Sequence, residues 1–308
     1  MQVVENVLRL ENPVPNLSLT IGSFDGVHLG HRSLLAALFE ESREAGGPSG
    51  VMILKPHPRQ FFSPESAPNL LTCDTQQRRL LEEAGVDYLF ILPFCASVAC
   101  ADRWDFLSGI VVGRCGTRRL VVGHDFRFGR GARGNYEYLL ESAPELGLRV
   151  RQVDALVIKG QCVSSTLIRE LVISGEMEQI PKWLGRRYAI EGTVVRGRGI
   201  GAGIGFPTAN VEPCNSALPA HGVYAAEVIL DGTPRPAAVN IGIAPTIRQD
   251  EMTIEAHLID FQGDLLGKTV EVVFHHRLRP EKKYPSVAEL VRAIGDDVNT
   301  VREYFRGK

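Results

Sequence analysis

None of the six cysteines, Cys73, Cys95, Cys100, Cys115, Cys162 and Cys214, forms a CxxC pair. None stands among histidines at zinc-finger spacing, which argues against a structural metal knot. Long apolar runs are also missing. The most hydrophobic stretch, residues 86–101, is short for a membrane span, contains Pro93 and is bounded by Asp87 and Asp102. Residues 1–11 carry no apolar signal core behind a basic start. A cytoplasmic protein with free thiols and no membrane contact is the expectation. A surplus of charge is lacking as well: 34 Lys and Arg face 36 Asp and Glu, a net charge of −2. Without a basic stripe, a nucleic-acid partner is not expected. What remains is ordinary globular material. At 308 residues, 44% of them hydrophobic and 23% charged, the chain is twice the usual domain length, so two domains with packed cores are expected.

The two halves have different rhythms. In the first, Leu17–Gly22, Val51–Leu54, Val86–Leu92, Arg119–Gly123 and Leu148–Val153 read as strands, apolar on both faces where they are longest, as buried parallel strands are. Between them, Arg32–Ala45 reads as a helix closed by Gly46-Gly47, and Asp74–Ala84 as one that opens with Asp74 and Gln77 at capping spacing. This alternation predicts an α/β domain with a doubly wound parallel sheet. In the second half, Ala189–Arg196, Val223–Leu230, Pro236–Ile241, Met252–Ile259 and Thr269–Phe274 follow one another as strands, parted by turns such as Asp231-Gly232. A capping box at Ser286 and Glu289 then opens an amphipathic helix. The pattern predicts a small antiparallel β-barrel with a terminal helix. We place the domains at residues 1–180 and 184–308, with the linker within 174–187.

The sharpest local signal is Thr20-Ile-Gly-Ser-Phe-Asp-Gly-Val-His-Leu-Gly-His31. A strand ends at Gly22, a Gly- and Asp-rich turn follows, and His28-x-Gly-His31 opens a helix at the carboxyl end of a parallel strand, where α/β folds bind ligands. Gly30 allows a nucleotide close to the backbone, the helix start favours phosphate, and paired imidazoles can donate to phosphate oxygens as charge builds. A metal pair and ordinary helix-start residues are the competing readings; no third ligand of fitting type stands nearby.

These residues resemble the HxGH nucleotidyltransferase superfamily. Val163-Ser-Ser-Thr-Leu-Ile-Arg169 resembles its Ser-Ser-Thr-x-x-Arg motif, with Ser164, Ser165 and Thr166 offering hydroxyls and backbone N–H groups to phosphates and Arg169 a cation; alone it would read as a helix cap. Lys55-Pro-His-Pro-Arg59 and Gly123-His-Asp-Phe-Arg-Phe-Gly129 narrow the resemblance to FAD synthetases. It implies that Gly22, Phe24, Asp25, His57, Asp125, Phe126 and Phe128 help hold flavin and nucleotide, with Asp125 also a magnesium contact. It implies catalytic roles for His28, His31 and Arg169.

In the second half, Gly205-Phe-Pro-Thr-Ala-Asn210 suits neither a central strand nor a helix, because Pro207 cannot donate to a ladder. Thr208 and Asn210 put two oxygens on one side of an extended segment, a fit for a hard cation shared with phosphates. Glycines from Gly197 through Gly201 to Gly205 form a loop able to close over them, and a plain mobile loop would look the same. With Gly222-Val-Tyr-Ala225, Asn240-Ile-Gly-x-x-Pro-Thr246 and Glu255-x-His-Leu258, this half resembles bacterial riboflavin kinase. That implies Thr208 and Asn210 for magnesium and ATP, and Glu255 as the base for the riboflavin 5′-hydroxyl. The whole chain thus resembles the bifunctional riboflavin kinase/FAD synthetase family, which makes FMN and then FAD from riboflavin, ATP and magnesium. It departs from the family's pattern at Ser23, Lys55, Ile200, Ala202 and Leu266. A chain with one live domain, a non-enzymatic flavin sensor and a nucleotidyltransferase for another nucleotide are the alternatives.

Overall fold

A computed structural model describes residues 1–197, 199–245 and 250–307. The chain divides into two compact units, residues 1–68 with 74–164, and residues 69–73 with 165–308.

The first unit is built on six strands: β1 (Gln2–Val4), β2 (Leu17–Ile21), β3 (Ser49–Lys55), β4 (Tyr88–Pro93), β5 (Thr117–Gly123) and β6 (Arg149–Val153). They form one sheet in the order β1-β4-β3-β2-β5-β6. Every pairing is parallel. All five residues of β2 are buried, as a central strand covered on both faces requires. Apolar clusters cover the two faces, one around Leu17, Leu19 and Phe106, the other around Phe24, Leu35, Leu38 and Leu81. The connecting helices are α1 (Leu29–Ala45), α2 (Pro58–Phe62), α3 (Asp74–Glu83), α4 (Ala96–Cys100), α5 (Arg103–Asp105) and α6 (Tyr136–Leu146). A π-helix, Phe106–Arg114, precedes β5. The strand order reverses at β2, between β3 and β5, so the loops beyond β2 and β5 flank the switch point where open α/β sheets bind ligands. A short hairpin, β7 (Val157–Ile158) and β8 (Gln161–Cys162), closes the unit.

The second unit opens with α7 (Ser165–Ser174) and α8 (Pro181–Leu184). Within residues 174–187, Met177, Ile180, Trp183 and Leu184 are buried, and these apolar side chains pack rather than face water. Strands β9 (Ala189–Val195), β10 (Ala209–Pro213), β11 (Gly222–Leu230), β12 (Thr233–Pro245), β13 (Asp250–Leu258) and β14 (Thr269–Arg279) close into a barrel in the order β10-β13-β12-β11-β14-β9. A short helix, α9 (Ile200–Gly203), lies between β9 and β10. The terminal helix α10 (Val287–Arg306) is capped by Ser286, whose hydroxyl accepts the Glu289 N–H. Its Val298 and Val301 pack on Ala225 and Ala238, small residues that let a helix approach a barrel wall, and Arg279 grips Asp297 at 2.7 Å.

One expectation is corrected. Cys73 and Cys214 are joined in a disulfide across 141 positions, while Cys95, Cys100, Cys115 and Cys162 are free. Spacing carried no sign of a pair that only the fold assembles. In α3, Asp74 and Gln77 also reach beyond their own helix. Asp74 pairs with Lys55 at 2.5 Å, and the Gln77 amide donates to the Ser23 carbonyl at 2.7 Å.

Candidate active sites

In the first unit the chain leaves β2 with the Gly22 N–H donating to the Met52 carbonyl at 3.1 Å. It then turns sharply, with φ of 49° at Phe24 and 41° at Val27. Both residues are buried. Such left-handed backbone at non-glycine residues is costly and persists where packing dictates it. The turn delivers three stacked rings. Phe24 lies against His31 with centroids 4.8 Å apart, and His31 against His28 at 3.7 Å. His28 caps α1: its Nδ1 accepts the His31 N–H at 3.3 Å. An accepting Nδ1 leaves the ring proton on Nε2, so the neutral ring keeps a donor there. The Nδ1 of His31 is shielded from solvent and has no hydrogen-bond partner among the described residues. Burial, then the neighbouring His28, holds His31 well below the usual histidine range, so it is a neutral imidazole near pH 7. A buried, unpartnered ring nitrogen is the kind of group a bound ligand satisfies. Gly30 keeps the space beside these rings tight, since a Cβ there would sit 3.1 Å from the His28 ring and 3.3 Å from the Val163 carbonyl. Asp25 is buried beside them.

At the end of β3, His57 caps α2, its Nδ1 accepting the Arg59 N–H at 3.2 Å. Beyond it stand Phe61 and Phe62, 40% and 64% exposed, in edge contact with each other and with Phe94. Sequence reasoning passed over these rings, although two adjacent phenylalanines on a short polar helix were a signal for a flat apolar ligand. At the end of β5, Asp125 is exposed, and Phe126 stacks on Phe128 at 5.4 Å. The Phe128 ring is buried against Phe106 and Tyr138, anchoring the loop.

The Ser-Ser-Thr-x-x-Arg motif falls across the division of the chain. Ser164 ends the first unit, while Ser165, Thr166 and Arg169 belong to the second. Ser165 and Thr166 start α7, and Arg169 donates through Nε to the Asn69 carbonyl at 2.6 Å.

The second constellation lies wholly in the second unit. Gly205 has φ of 92°, and β10 starts at Ala209, past Pro207. The Phe206 N–H donates to the Gly201 carbonyl at 2.8 Å, folding the glycine loop back on the Phe-Pro-Thr run. Thr208 and Asn210 line a cavity of about 250 Å³, together with Gly197, Phe261, Asp264 and Leu266. A Cβ at Gly197 would fall 2.0 Å from the Asn210 side chain, so only glycine fits beneath that amide. Asn210 of β10 pairs directly with Glu255 of β13, and Glu255 with Asn240 of β12. Directly opposed residues share a sheet face, so Asn210, Glu255 and Asn240 make one polar row across three strands. Two contributions to this region were missed. His257 donates through Nδ1 to the Pro207 carbonyl at 2.8 Å and so pins the bend. Asn240, read only as part of a motif, stands beside Glu255. Thr246 lies outside the described residues.

Thr208 and Asn210 are hard oxygen donors beside a cavity, Glu255 is the register partner of Asn210, and Asp125 is an exposed carboxylate. Both settings fit a magnesium ion that takes its remaining ligands from phosphates and water.

The FAD synthetase family model matches residues 11–167 and the riboflavin kinase model residues 184–305. The bifunctional riboflavin kinase/FMN adenylyltransferase of Escherichia coli K12 is 37% identical over 99% of this chain and 98% of its own. That of Pseudomonas fluorescens is 37% identical over 98% and 97%. Among solved structures, a protein from Streptococcus pneumoniae described as a macrolide-efflux protein superimposes with a TM-score of 0.87, at 26% identity over 97% of this chain and 98% of that one. No helix among the described residues is long and apolar enough to cross a membrane. Two family models in sequence, and relatives similar from end to end, lead to one statement: the chain belongs to the bifunctional riboflavin kinase/FMN adenylyltransferase family.

Proposed function

We propose that the chain's two activities divide between its halves, with adenylylation of FMN to FAD and release of pyrophosphate in residues 1–180 and phosphorylation of riboflavin to FMN in residues 184–308. The observation that carries this reading is that a chain matched end to end by bifunctional relatives holds both constellations, the stacked imidazoles in its first unit and the Asn210–Glu255–Asn240 row in its second.

For the kinase, Glu255 accepts the proton of the riboflavin 5′-hydroxyl as that oxygen attacks the γ-phosphorus of ATP. Thr208 and Asn210 orient the phosphates under the glycine loop, and His257 holds the loop's exit. Phosphoryl transfer depends on such alignment more than on covalent chemistry. For the adenylyl transfer, a phosphate oxygen of FMN attacks the α-phosphorus and pyrophosphate leaves. The Nε2–H of His28 and the neutral His31 donate to the phosphate oxygens on which charge builds, and the motif assigns Ser164, Ser165, Thr166 and Arg169 to phosphate contacts. Phe61, Phe62 and His57 offer the flavin ring an apolar platform, with Asp125 and Phe126 on the β5 loop. Thr208 and Asn210, and Asp125, would hold magnesium, which would neutralise charge on the phosphates when bound. The demand for ATP fits a cytoplasmic location.

The test is a time course of the purified chain with riboflavin, ATP and magnesium, resolving riboflavin, FMN and FAD by chromatography. FMN followed by FAD is expected. FMN alone would refute an active first site, and no FMN an active second one. Chelation of magnesium should stop both steps.

A further inference from the structure

Away from both constellations, Cys73 and Cys214 are joined as a disulfide with their Cα atoms 5.6 Å apart. Cys73 is buried and Cys214 exposed, so one sulfur is open to a partner from solvent and the other is shielded. The Glu191 carboxylate completes the cluster: its oxygen and the two sulfurs all lie within 4.8 Å of one another.

The bond is the covalent end of a short ladder. The Leu70 N–H donates to the Ser216 hydroxyl at 2.6 Å, and the Leu70 carbonyl accepts the Ala217 N–H at 3.0 Å. The buried Asn215 amide donates to the Leu71 carbonyl at 2.7 Å and accepts the Glu191 N–H at 3.0 Å. The Cys214 N–H donates to the Glu191 carbonyl at 2.9 Å. At the far end of the same five residues, the Asn69 carbonyl accepts from Arg169.

We propose that Cys73 and Cys214 are a reversible thiol–disulfide modification site for a small-molecule disulfide such as oxidised glutathione, and that closing it fixes the carbonyl on which Arg169 is held. In closing, the Cys214 thiolate attacks one sulfur of the partner disulfide and expels a partner thiolate. The Cys73 thiolate then attacks the Cys214 sulfur and expels the second. One sulfur–sulfur bond breaks in the partner and one forms in the protein. Two cysteines are oxidised, the partner is reduced to two thiols, and the cysteine protons pass to the thiolates released. Opening reverses these steps, with attack at the exposed Cys214 sulfur. Glu191 repels an incoming thiolate and one forming on either cysteine, so it slows exchange in both directions. The consequence for Arg169 rests on its assignment to adenylyl transfer.

The test uses the full-length enzyme equilibrated over a range of reduced-to-oxidised glutathione ratios. Each sample is alkylated and digested for mass spectrometry, and assayed in parallel for FMN adenylylation and riboflavin phosphorylation. A linked Cys73–Cys214 peptide should come and go with the ratio. Adenylylation should be several-fold faster in the closed state, with phosphorylation unchanged. Cys214→Ser, at an exposed position, should remove the response, and Glu191→Gln should speed exchange several-fold. No linked peptide at any ratio, or equal adenylylation rates in the two states, overturns the proposal. Arg169→Ala with undiminished adenylylation would overturn the assignment of Arg169 alone, since the linked peptide does not depend on it.

Discussion

The paired imidazoles of the first unit stand beyond the end of a strand; Asn210 and Glu255 of the second stand on the strands themselves. His28 and His31 are positioned by a strained turn after β2 and by the rings they stack on. Glu255 is positioned by register alone, opposite Asn210 on one side and Asn240 on the other. A loop site can be altered while its sheet stays intact. A register site cannot: a slip of one residue would carry Glu255 into the barrel interior that Ile254 and Ala256 now fill. The two sites of one chain should therefore respond to different perturbations.

Glu255→Gln should break the comparison most sharply. Removing the base while keeping the side chain's size should lower FMN formation about 10²–10⁴-fold, with supplied FMN still converted to FAD, as read by chromatography. His31→Ala should do the reverse, costing FAD formation roughly 10²-fold or more while riboflavin phosphorylation persists. A folded variant of either kind that lost both activities would refute the separation.

Smaller substitutions sharpen it. Gly197→Ala puts a methyl 2.0 Å from the Asn210 amide, which must then rotate away from Glu255's row. Gly30→Ala meets the His28 ring at 3.1 Å, a contact that a few tenths of an ångström relieves. The first should lower kinase kcat by about tenfold or more, and the second should lower adenylylation less, since a ring held only by stacking and a cap can shift slightly at a cost of about 1 kcal/mol. Equal losses would mean that the glycine loop moves with its ligand and that register does not fix Asn210.

These positions also show what the sequence displays and what it hides. The central strands β2, β3 and β4 are legible because they are apolar on both faces, and β5 and β6 because their apolar residues fall between helical stretches. The three-residue β1 is too short to show a period, and β10 is hidden between Pro207 and Pro213. Motifs are legible where partners are close in sequence, as in His28 and His31. The contacts that complete each site are not: Gln77 reaches Ser23 across 54 positions, and His257 reaches Pro207 across 50. Polar side chains at such separations leave no periodic trace, and their pairing is written only in the packing. The Cys73–Cys214 bond is the extreme case, a link between segments with no common pattern.

The smallest effect expected is on stability in mild acid, and it belongs to the first unit. His31 is held well below the usual histidine value of 6.5, chiefly by burial. Between that lowered value and about 6.5 the unfolded chain binds a proton that the folded chain does not. Stability contributed by the neutral ring is therefore fully present above about pH 6.5 and is lost as pH falls, by at most about 1.4 kcal/mol per pH unit. Denaturant midpoints between pH 7.5 and 5.5 should drop more for the wild-type chain than for His31→Gln, which keeps a polar side chain of similar reach with no proton to gain. If the two fall in parallel, the ring is not held neutral by its stack, and the adenylyl transfer would then begin with a charged imidazole at His31.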